Sequence, residues 1–86
     1  MARIRRLVLD VLKPHHPDVV ELGRALADQG ALRVRVTVLE MDARTETVQI
    51  EIVGDDIDFA KLRGAVEGFG ASLHSIDEIE VDSAGD

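Results

Sequence analysis

The chain contains no cysteine, tryptophan or tyrosine, and its only aromatic side chains are Phe59 and Phe69. Without cysteine there is no disulfide framework, no thiol nucleophile and no thiolate-bound metal. Without a row of rings there is no platform on which bases could stack. Basic charge is also scarce: ten Lys and Arg stand against seventeen Asp and Glu, for a net charge of −7. Non-specific nucleic-acid binding rests on cations that neutralise phosphates, so this balance argues against a nucleic-acid partner. No apolar run approaches the ~20 residues that cross a bilayer, and the first residues do not read as a charged-then-apolar leader. The expected location is the cytosol, with no membrane partner. Gly64, Gly68 and Gly70 fall in a helical pattern, the wrong setting for cradling phosphate.

What is present is a clear alternation of periods. "RIRRLVLDVL" (3–12) is rich in β-branched residues and leucine, and Pro14 ends it. "PDVVELGRALADQG" (17–30) places Val19, Leu22, Gly23 and Leu26 on one helical face. Pro17 and Asp18 suit its start and Gly30 its end. "ALRVRVTVLEMD" (31–42) and "TETVQIEIV" (45–53) alternate at period two, and the short "DARTE" link makes them a hairpin. "DDIDFAKLRGAVEGFG" (55–70) sets Phe59, Leu62, Val66 and Phe69 at helical spacing, with Asp56 or Asp58 as cap and Gly70 as stop. "SLHSIDEIEVD" (72–82) is the last strand.

The order is βαββαβ. With short connections and right-handed crossovers, it predicts an α+β, ferredoxin-like fold: a four-stranded antiparallel sheet in order 4-1-3-2, with both helices on one face. One domain spans 1–86, and 82–86 is expected to be a loose acidic tail. A core of this size buries roughly 60% of the unfolded surface, so association would help it.

Two surfaces look unfinished. The sheet face away from the helices should carry Arg6, Val8, Asp10 and Leu12, then Arg33, Arg35, Thr37 and Leu39, then Gln49, Glu51 and Val53, then His74 and Ile76. A solvated face is normally more uniformly polar, so this mixture suggests a subunit or ligand surface. Gly64 and Gly68 lie on the outer side of the second helix, where each costs roughly 1 kcal/mol against alanine.

The candidate chemistry centres on a few side chains. Asp10 and His74 should face each other on the open side, with Cβ atoms about 5 Å apart, where a carboxylate would orient the imidazole. Together with Arg33 and Arg35 they form the expected ligand-binding set. Ser75 should point to the other face, which weakens a Ser-His-Asp triad. His15 and His16 are adjacent and have no zinc-type spacing, and their roles stay open. Oxygen-rich calcium binding draws on Asp77, Glu78, Glu40 and Asp42. Calcium wants six to eight oxygens, so subunits would have to pool them. The bland alternative is a charged edge strand that resists edge-to-edge pairing.

"RLVLDVLKPHHPDVVELGRAL", "TETVQIEIVGDDIDF" and "GFGASLHSIDEIEV" resemble a mostly archaeal family of short chains, domain of unknown function family 211. The resemblance covers about residues 3 to 81. It implies a ferredoxin-like fold and ring-like or otherwise multimeric assemblies, and no established activity. The family's motif residues map onto Asp10, Lys13, Pro14, His15, Pro17, His74, Ser75, Asp77 and Glu78. The expected function is therefore a non-enzymatic, self-assembling domain that binds a metal ion, calcium among the candidates, or a small ligand at subunit boundaries. The alternative is a small enzyme using His74 and Asp10 as an acid-base pair.

Overall fold

The computed structural model describes residues 2–83. Strand β1 runs Ala2–Pro14, helix α1 Val19–Ala27, strand β2 Arg33–Met41, strand β3 Thr45–Val53, helix α2 Phe59–Gly68 and strand β4 Ser72–Ser83. The four strands form one antiparallel sheet in order β2-β3-β1-β4, the topology read from the sequence. Both helices pack on the same face.

Local chemistry sets the ends of the helices. Asp18 accepts from the amide of Glu21 at 3.0 Å, and Asp58 accepts from the amide of Lys61 at 3.2 Å. Each satisfies an amide that the first helical turn leaves free. Of the two cap candidates for α2, Asp58 takes the role. Gly30 (φ +95°) and Gly70 (φ +74°) follow the helices in the left-handed conformation that favours glycine.

The core lies between sheet and helices. Leu7, Leu9 and Val11 of β1 and Val48, Ile50 and Ile52 of β3 meet Leu22 and Leu26 of α1 and Leu62 and Val66 of α2. The inward residues are the odd positions of β1 and the even positions of β3, as period two requires.

That same parity carries two charges inside. Lys13 is fully buried and Glu46 nearly so. The Lys13 Nζ donates to Glu46 Oε1 at 2.7 Å and to the carbonyls of Pro14 (2.7 Å) and His15 (3.4 Å). All three ammonium donors thereby have acceptors, which is the condition for burying a cation. The pair ties β1 to β3 and holds the start of the "PHHP" loop.

Strand β4 runs further than the sequence reading placed it. Asp82 and Ser83 pair with Arg3 and Ala2, so the expected loose tail at 82–86 begins with two ordered strand residues. Residues 84–86 lie outside those described. Among the described residues, no helix is long and apolar enough to cross a membrane. Gly64 and Gly68 have open space where a Cβ would sit, so none of the described residues covers these two positions of α2.

Removing one partner of the buried pair strands the other charge. Glu46→Ala is expected to lower the unfolding free energy by about 3–5 kcal/mol. A urea titration followed by circular dichroism reads this directly.

Candidate functional site

The open sheet face holds the polar chemistry, and its layout follows from register. Arg6, Val8 and Asp10 of β1 stand opposite Val53, Glu51 and Gln49 of β3 on one side. On the other side they stand opposite Glu80, Glu78 and Ser75 of β4. Arg6 spans all three strands: its Nε donates to Glu51 Oε2 at 2.7 Å and its Nη1 to Glu78 Oε1 at 2.8 Å. Val8 lies between the two carboxylate stems and is only 6% exposed, although it sits on the uncovered face.

This fork sets the electrostatics of the face. The hydrogen bond from Arg6 holds Glu51 below the ordinary carboxylate range, and the nearby Arg35 and Arg33 add to the effect. Glu78 and then Glu51 hold the Arg6 guanidinium more firmly protonated in turn. A recess of about 300 Å³ opens beside the fork, lined by Arg6, Arg35, Thr37, Gln49, Glu51 and Glu78 with Val8 at its base.

Asp10 and His74 do meet, by a less direct route than simple cross-strand pairing. Asp10 stands opposite Ser75 and Val11 opposite Leu73, so His74 is the extra residue of a bulge in β4. The bulge brings its Nδ1 to 3.1 Å from Asp10 Oδ2. An ionised carboxylate can only accept, so Nδ1 is the donor in this contact and Nε2 is the ring nitrogen left to meet other groups. The His74 side chain is 76% exposed, against 23% for Asp10. Beside the pair is a recess of about 250 Å³ bounded by Val11, Leu12 and Thr47.

The other candidate residues lie apart from this pair. Arg35 joins the recess at the Arg6 fork, and Arg33 lies next to it along β2. Ser75 donates to Asp77 Oδ1 at 2.7 Å rather than to His74, so the three residues do not line up as a triad. Glu78 is engaged by Arg6. Glu40 and Asp42 lie at the β2 end of the hairpin, on the opposite edge from Asp77 and Glu78. Two strands intervene, a separation of about 14 Å or more. Among the described residues, no three His, Asp or Glu side chains converge on a metal-sized site. His15 Nε2 meets the carbonyl of Asp42 at 2.8 Å, which fastens the loop after β1 to the hairpin.

Two features escaped the sequence reading. The Arg6 fork needs cross-strand register that one sequence does not print. The Lys13–Glu46 pair was accessible, because Lys13 shares the parity of Leu7, Leu9 and Val11, and Glu46 that of Val48 and Ile50.

The family model DUF211, described as "Uncharacterized ArCR", matches residues 5–84. "Uncharacterized protein MJ0319" of Methanocaldococcus jannaschii is 40% identical over 80 residues, which cover 92% of this chain and 82% of that protein.

The lowered Glu51 value has a sign that can be tested. A depressed carboxylate stabilises the fold above its unfolded value of about 4.3, and that contribution is lost as pH falls through the lower folded value. Wild-type protein should therefore lose stability on acidification from about pH 5 to pH 3. Glu51→Gln should be weaker at neutral pH and show a shallower fall over that window. Urea midpoints measured across the range provide the comparison.

Proposed function

The chain belongs to the DUF211 family of uncharacterised proteins, and from that premise we propose that it is a non-enzymatic, self-assembling domain of the cytosol. Copies meet along the parts of the sheet that their own helices leave bare. A small ligand or ion is held where they meet, beside Asp10 and His74. The observation that carries this reading is the placement of exposed apolar side chains. Among the described residues nine large hydrophobic side chains are left exposed; of these, Val38, Leu39 and Met41 lie on β2, and Ile76, Ile79 and Val81 lie on β4. These are the two edge strands. Edges that stay in water are normally blunted rather than lined with aliphatics.

The enzymatic alternative rests on the 3.1 Å contact between His74 and Asp10. It lacks a nucleophile in reach, since the neighbouring hydroxyl of Ser75 is committed to Asp77. A mostly exposed imidazole also has little of the water exclusion that catalytic groups use. The assembly reading is therefore preferred. His74 serves in it as an oriented binding group whose Nε2 faces outward.

Native mass spectrometry on metal-replete and chelator-treated protein tests the reading. At about 10 μM the expected mass is a multiple of the 9.4 kDa chain. The thermal midpoint should also rise with protein concentration, because association stabilises only the folded chain. A mass of one chain at every concentration would overturn it.

A further inference from the structure

Resting on the assembly reading, we infer that copies join edge to edge, β2 of one chain pairing with β4 of the next. The pairing is antiparallel and sets Arg33 opposite Glu80 and Arg35 opposite Glu78. Four observations lead to it.

The first is direction. β4 runs antiparallel to β1, β1 to β3 and β3 to β2. The two free edges therefore run in opposite senses. Two copies in the same orientation, set side by side, bring β2 against β4 as a regular antiparallel neighbour, and the sheet continues without a break in pattern.

The second is charge. β4 presents Asp77, Glu78, Glu80 and Asp82 and no cation. The first half of β2 presents Arg33 and Arg35 and no carboxylate. Two-fold pairing of β4 with β4 would set carboxylates against carboxylates, and β2 with β2 would set arginines against arginines. Like charges directly opposite destabilise a ladder, so the edges select each other rather than themselves.

The third is level. Arg33, Val53, Arg6 and Glu80 form one row across the sheet. The next rows are Val34, Ile52, Leu7 and Ile79, then Arg35, Glu51, Val8 and Glu78. A neighbour placed with no slip along the strands therefore sets Arg33 opposite Glu80, Val34 opposite Ile79 and Arg35 opposite Glu78. One residue further along, Leu32 meets Val81. Both are exposed in the single chain, at 73% and 49%. The ion pairs fall on the open face and the aliphatic pairs on the helix side. A slip of one residue would exchange the faces and lose both sets.

The fourth is regularity. β2 pairs without interruption from Arg33 to Val38, and its register shift comes after that. β4 has two residues skipped by the register, His74 and Asp77; none of its residues is skipped from Glu78 to Ser83, where the one register shift leaves out Arg5 of β1. The two straight stretches share three rows, Arg33–Arg35 of β2 level with Glu78–Glu80 of β4. Bulged edges resist pairing and straight ones permit it.

The absence of cysteine makes the test clean. In the variant carrying Arg33→Cys and Glu80→Cys, each new thiol has its partner on the next copy, with Cβ atoms about 5 Å apart. Within one chain the two positions are three strand spacings apart, about 14 Å, too far to bridge. Mild oxidation should give a non-reducing gel ladder of two, three and more chains. Either single-cysteine variant alone can give no species larger than two. A native multimer that yields no ladder overturns this pairing and leaves assembly standing through another surface. A native mass of one chain overturns assembly itself. Arg35→Glu provides an independent reading on a cysteine-free chain. It should raise the concentration at half-dissociation at least tenfold, and Glu78→Arg in the same chain should recover part of that loss. An unchanged value for Arg35→Glu overturns the register.

Discussion

The structure depends on a mismatch of lengths. β1 has 13 residues and β4 has 12, so at about 3.3 Å per residue each spans about 40 Å. The helices that cover them have nine and ten residues and reach about 14 Å. Two short rods cannot roof a sheet of that length. The molecule is accordingly drawn out to 50 × 22 × 17 Å. Its core sits under the helices, and the strand ends project beyond it at both ends. The exposed aliphatics on β2 and β4, the ribbon of Ala2–Ile4 with Val81–Ser83, and the projecting hairpin all follow from that one disproportion.

Where helices do not cover the sheet, charge takes over the work of ordering it. Arg6 is the centre of this second system. Its planar fork is suited to two carboxylates at once, and it links β3 and β4 through β1 while closing over Val8. The result is a face that is apolar underneath and ionic above. Such a surface can meet another copy without the indiscriminate stickiness of bare aliphatics, because each cation and carboxylate must find a counterpart.

Much of the fold was legible because the sequence keeps its periods separate. Leu22, Leu26, Leu62 and Val66 read as helical stripes, and Val48, Ile50 and Ile52 as a strand face, and all are buried as their spacing requires. The strand order followed from short connections and one handedness rule. The site was less legible for a specific reason. Period-two counting placed Asp10 and His74 on the same face correctly, but assumed an unbroken ladder. The register shifts opposite Asp10 and Val8 come from how β4 fits against β1, and no residue in "HSIDE" announces them. The acidic residues were read as clusters along the chain. In space Asp77 and Glu78 are already engaged by Ser75 and Arg6, and Glu40 and Asp42 belong to the far edge. Lys13 was seen only as a motif residue, although its parity pointed inward.

The burial of Lys13 also decides how the molecule can be handled chemically. The sequence has two lysines, Lys13 and Lys61. An ammonium sealed from water and engaged by Glu46 and two carbonyls is closed to acylating reagents and modifying enzymes. Lys61 is exposed on α2. A dye or a solid support coupled through lysine side chains will therefore attach at one defined point on the helical side. The open face and both edges of the sheet remain free to meet whatever is presented to them.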